Sequence, residues 1–271
     1  HNFMNETHFK RFLMIIKSAG FIDRSMIRSQ NALNFAYIVY LTLRNQNVEQ
    51  GKIEQLVRKW YVMSVLTGRY SSSPESSFDL DIKRIDELGV EEYLINNIEK
   101  AELSDAFWQV GLPQQLNTSV GSSPYFKVYL ASQVKNNDKG FLSKDITVRD
   151  LILHKGDVHH IFPRNYLKKH GLTRGRYNQI ANYVIMQSEI NIAIGNKAPA
   201  EYFKELIEQC KDPDRLKKYG NITDMDELRN NFRMNCIPED MDQMTIEDYD
   251  RFLVLRRNLI SEKIRAYYES L

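Results

Sequence analysis

The 271-residue chain has 37 Lys/Arg against 35 Asp/Glu, with 42% hydrophobic and 27% charged residues. That describes an ordinary globular protein of two or three lobes with a sizeable core, and a net charge of +2 points to no class of partner. Cys210 and Cys236 are the only cysteines; without a Cys-x-x-Cys pair they exclude a zinc ribbon or disulfide scaffold and favour a reducing compartment. No apolar run approaches ~18 residues and no signal-peptide pattern opens the chain, so a cytoplasmic protein without membrane contact is expected. Its first residue is His1 rather than methionine, which fits a processed or excised piece of something longer.

Taken in order, residues 1–118 read as an α-helical lobe. Phe9, Phe12, Leu13, Ile16 and Phe21 recur at helical spacing, as do Leu33, Ala36, Tyr37, Tyr40 and Leu41. A third helix over 52–67 should stop at Gly68. Residues 69–74 form a polar loop leading into an acidic amphipathic helix. Trp60 and Tyr70 are expected in the core rather than as a stacking surface for bases, and Arg69 is a candidate for a DNA-backbone contact.

Residues 116–123 form a small-residue connector, followed by a helix over 125–134, a turn over 136–140 and a helix over 147–153 ending near His154. A short strand is expected at 158–161, then a basic loop with Lys168, Lys169, Arg174 and Arg176. A second strand at 181–186 precedes a helix that starts near Ser188 and carries Asn191. Pro199 opens the next helix, to about Cys210, and beyond Asp212-Pro213 the chain is helical to its last long helix at 249–268. The division is thus 1–118, 119–215 and a C-terminal helical extension over 216–271 that packs on the middle part.

The chemistry concentrates at Asp157-Val-His-His-Ile-Phe-Pro163. Four of the six histidines lie in residues 151–170, and adjacent imidazoles place a metal ligand next to a base. Successive strand residues face opposite ways, but Pro163 argues that the strand ends there. Residues 151–200 hold seven Lys/Arg against Asp157 and Glu189, net +5, whereas 71–110 hold ten Asp/Glu against three Lys/Arg, net −7. A polyanion held near the histidines fits that asymmetry, as do solvated helix faces. Arg164, Lys168 and Lys197 are the candidates for phosphate contacts.

With Asn182 and Asn191 following at their spacing, these residues resemble the HNH, or His-Me finger, endonucleases. More closely, the chain resembles the C-terminal part of the GmrSD-type modification-dependent restriction proteins, strongly over 157–203 and loosely elsewhere. The resemblance implies a mainly α fold with a small ββα-metal finger (core 157–197) in a nuclease domain. It makes His160 the general base, and Asn182 the residue that holds the ribbon and orients the His160 loop. His159 and Asn191 become ligands of a divalent metal ion, Mg²⁺ or else Mn²⁺ or another transition metal. The outcome is DNA cleavage leaving 5′-phosphate and 3′-hydroxyl ends, as part of anti-phage restriction. Many relatives have Asp where this chain has His159, so both ligands are neutral and DNA phosphate must supply the missing charge. Asp157 is either an outer partner of His159 or a strand-end carboxylate. A ParB-like nucleotidase domain, which precedes the nuclease in that group, lies outside this sequence. The alternative is a nucleic-acid-binding or regulatory module whose finger does not cut.

Overall fold

The computed structural model describes residues 5–212 and 214–271; His1 and Pro213, both used above, lie outside them. The described chain groups into two compact units. One comprises the described part of His1–Leu112 with Ser122–Ser132 and Ile264–Leu271; the other comprises Pro113–Gly121 and Gln133–Lys263. The limits expected at 118 and 215 both fall inside the second unit. Residues 216–263 group with the central region because their apolar side chains share its core.

In the first unit, α1 (Glu6–Ser18), α2 (Gln30–Asn45) and α3 (Gln50–Thr67) pack together. Their starts follow local chemistry: Asn5, Ser29 and Glu49 each accept a hydrogen bond from a first-turn backbone N–H. Gly68 ends α3 in the left-handed region, φ 61°, as its position predicts. Phe12, Phe35, Val57 and Trp60 have no exposed surface, and Phe35 stacks on Trp60 at 5.5 Å between ring centres. Trp60 and Tyr70 are therefore core residues, as expected. α4 (Pro74–Leu88) begins at the last residue of the expected polar loop, with Pro74 in its first turn. Beyond it the helical chain winds as a π-helix over Tyr93–Glu99, which no periodicity announced.

The second unit holds the only two strands among the described residues, β1 (Val158–His160) and β2 (Tyr183–Ile185). They pair antiparallel, with His159 opposite Val184 and His160 opposite Tyr183. Both are shorter than expected, and β2 starts late because Ile180–Asn182 turns as a 3-10 helix before it. The helix Val148–Leu153 starts with a capping box between Thr147 and Asp150 and ends at His154, matching its sequence limits. The segment expected as a basic loop is instead two short helices, Arg164–Lys169 and Arg174–Tyr177. Leu167 and Tyr177, buried among the charges, anchor them. After β2 come the helices Ser188–Ile194 and Pro199–Lys211, then Met225–Met234 and Tyr249–Glu269, whose residues from Ile264 count with the first unit. One apolar core gathers Ile161, Phe162 and Val184 from the strand region, Ile190 and Ile194 from the helix after β2, and Tyr249 and Phe252 from the last helix. The strand–strand–helix segment thus shares a core with the former C-terminal extension.

Candidate functional site

The site is built where β1 stops. Ile161 and Phe162 are consecutive yet both fully buried, so side chains no longer alternate between faces beyond His160. That break lets His159 and His160 line one cleft of about 400 Å³, together with Asp157, Arg164, Asn165 and Asn191. Asn191 arrives from the helix Ser188–Ile194, anchored by buried Ile190 and Ile194 on either side of it.

Asn182 is not in the cleft wall but beneath it, fully buried. Its Oδ1 accepts from the Phe162 backbone N–H at 2.8 Å, and its Nδ2 donates to the Phe162 and Tyr177 carbonyls at 3.1 and 3.3 Å. One side chain thereby clamps both backbone groups of the residue two after His160. The Tyr202 hydroxyl donates to the Ile161 carbonyl at 2.7 Å. From the last helix, fully buried Arg256 donates to the Ala181 and Tyr183 carbonyls on either side of Asn182, at 2.8 and 2.6 Å. Neither Tyr202 nor Arg256 carries a sequence signal, since each reads as an ordinary residue of an amphipathic helix.

The two imidazoles differ. His160 Nε2 lies 2.9 Å from Asn178 Oδ1, and its ring meets Tyr183 edge-on at 5.3 Å. Burial holds its pKa below the ordinary value, the Asn178 contact opposes this, and the charges of Arg164 and His159 add to the lowering. His159 Nε2 is buried with no hydrogen-bond partner. Burial lowers its pKa too, against the nearby Asp157 carboxylate. Both rings thus favour the neutral form, which a base or a metal ligand requires. An unpaired buried nitrogen costs about 1–3 kcal/mol unless something else occupies it. Among the described residues no three His, Cys, Asp or Glu side chains gather as a metal-holding group. Cation donors in the cleft wall include the free His159 nitrogen, the Asn191 amide oxygen and the Asp157 carboxylate.

The phosphate candidates separate. Arg164 lines the cleft. Lys168 sits over the Tyr177 ring at 5.6 Å. Lys197 is bound internally, 2.8 Å from Glu205 and 2.6 Å from the Tyr219 hydroxyl, so it reaches a phosphate only by leaving that pair. Arg69, in the first unit, holds Asp81 through two nitrogens at 2.7 and 2.6 Å. His154 Nδ1 contacts the Asp150 carbonyl and His170 packs edge-on to Tyr166, each at the C-terminal end of a short helix. A second cleft of about 430 Å³, lined by Lys144, Gln187, Glu189 and Lys217, holds no histidine or cysteine. No helix among the described residues is long and apolar enough to cross a membrane.

No protein-family model matches the chain, and no solved structure matches it. The chain is similar to an uncharacterized protein of the archaeon Methanocaldococcus jannaschii, 28% identical over 226 residues. The match covers 77% of this chain and 36% of that protein, so the chain spans little more than a third of its relative's length.

Proposed function

We propose that the protein is a metal-dependent DNA endonuclease of the HNH type, acting in the cytoplasm as part of an anti-phage restriction system. The observation that supports this most is the pairing, in one cleft, of a neutral His160 with a buried and unpartnered His159 nitrogen, beside Asn191. His159 Nε2 and the Asn191 amide oxygen would hold a divalent cation, Mg²⁺ or Mn²⁺, with DNA phosphate completing the donor set. The ion supplies Lewis-acid stabilisation of charge on the phosphate and the departing oxygen. His160 would take a proton from water, whose oxygen bonds to phosphorus as the bond to the 3′ oxygen breaks; that oxygen takes a proton from solvent, leaving 5′-phosphate and 3′-hydroxyl ends. Asn182 keeps the His160 loop in place through Phe162. Arg164 faces the phosphate. A ParB-like nucleotidase domain is the proposed partner in the intact protein.

Nicking of supercoiled plasmid with Mg²⁺ or Mn²⁺ tests the reading. Wild type should cut, and His160→Ala should cut about 10²–10⁴-fold more slowly with its fold intact. His159→Asp should keep activity and shift preference toward Mg²⁺, since a hard carboxylate replaces an imidazole. Wild type that binds DNA yet never cuts would instead support the non-cutting regulatory module.

A further inference from the structure

We infer that Asn178 is the positioning residue of this site, fixing His160 in the tautomer that carries its hydrogen on Nε2 and leaves Nδ1 bare. The tautomer follows from the placement of the Asn178 carboxamide oxygen against Nε2; its catalytic meaning rests on the nuclease reading. A carboxamide oxygen accepts hydrogen bonds and cannot donate them. With Asn178 Oδ1 at 2.9 Å, Nε2 must bear hydrogen, because the other tautomer would set two lone pairs against each other. Among the described residues no hydrogen bond engages His160 Nδ1, so the lone pair of a cleft-lining ring is left unclaimed.

Asn178 is held well enough to do this. Its backbone N–H donates to the Arg174 carbonyl at 3.0 Å, closing the short helix Arg174–Tyr177. The preceding carbonyl, of Tyr177, accepts from Asn182 Nδ2 at 3.3 Å and from the Tyr249 hydroxyl at 3.4 Å. The clamp residue Asn182 therefore ties down two things at once, the loop after His160 and the residue next to Asn178. When water gives its proton to Nδ1, the ring becomes a cation with hydrogen on both nitrogens. The contact from Nε2–H to Asn178 persists and strengthens, because the donor is now charged. The acceptor thus acts in both directions: it presents the lone pair before proton transfer and stabilises the charge afterwards.

The test is nitrogen NMR of ¹⁵N-histidine-labelled full chain with the imidazoles neutral, alongside plasmid nicking. Wild-type His160 should show a protonated Nε2 and a bare Nδ1. Asn178→Ala should give a mixture of tautomers and lose about 10–100-fold in kcat with KM little changed. Asn178→Asp, which keeps an acceptor oxygen, should restore both the single tautomer and most of the rate. A wild-type His160 protonated on Nδ1 overturns the inference. So does Asn178→Ala that leaves tautomer and rate unchanged while His160→Ala is inactive. If wild type does not cut at all, the nuclease reading falls while the NMR still decides the tautomer.

Discussion

Two buried polar clusters, one in each unit, show what separates scaffold from site. In the first unit Asp81 has no exposed surface and each of its carboxylate oxygens accepts two hydrogen bonds. Arg69 grips it through two nitrogens, and the Tyr70 and Tyr93 hydroxyls donate to its oxygens at 2.7 Å each. Trp60 Nε1 completes the shell by donating to Tyr70 at 3.1 Å, and Glu102 takes the remaining side of Arg69 at 2.8 Å. In the second unit Asn182 is satisfied in the same way, but His159 keeps a buried nitrogen with nothing to bind. A closed network stabilises a fold and leaves nothing over for a ligand. A cluster that leaves a ligand-grade nitrogen buried without a partner is incomplete at that atom, and a bound ion or a catalytic role is one reason for it.

The comparison breaks most visibly at Asp81. Asp81→Ala strands the Arg69 guanidinium without its counter-charge and should destabilise the first unit by about 3–5 kcal/mol. Chemical denaturation measures it; a loss below about 1 kcal/mol would mean that water replaces the carboxylate and the network is not closed. Asn182→Ala comes next. It frees a buried N–H and two carbonyls around the His160 loop and should remove about 1–3 kcal/mol together with most cleavage. Stability and activity falling together is the signature of a clamp. Full activity in a destabilised variant would show that the loop needs no fixing.

His159→Phe sharpens the contrast from the other side. Replacing an unpaired buried nitrogen by apolar surface should leave stability unchanged or raise it by up to about 1 kcal/mol, while cleavage is lost. Thermal unfolding and nicking on one sample decide this, and a strongly destabilised variant would reveal a structural partner for that nitrogen. The smallest effect is expected at Glu205. Burial pushes its carboxyl up, but hydrogen bonds from Lys197, Tyr219 and Lys218 prevail and hold it at about 2, below the ordinary 4.5. A lowered folded-state pKa gives stability that is present above 4.5 and lost as pH falls toward 2. Acid unfolding of Glu205→Gln should therefore be shallower than wild type in that window and parallel to it at neutral pH.

Much of this protein was legible in local chemistry. The Thr147–Asp150 capping box, Gly68 past α3 and Pro199 in its first turn mark helix limits within a few residues, because caps and left-handed turns are decided by neighbours. The end of β1 after His160 could be read from Pro163, and the run of Ile161 and Phe162 signals a core. The tertiary structure alone decided the partners. His160 meets Asn178 across 18 positions, Arg256 reaches the Ala181 carbonyl across 75, and Arg69 finds Asp81 across 12. Lys197, basic and just past the helix Ser188–Ile194, turned out to belong to Glu205. The physical reason is the same in each case. Backbone capping and periodicity act within a turn or two, whereas the partner of a buried polar side chain is whichever group packing brings within about 3 Å, and that separation is set by the assembled core.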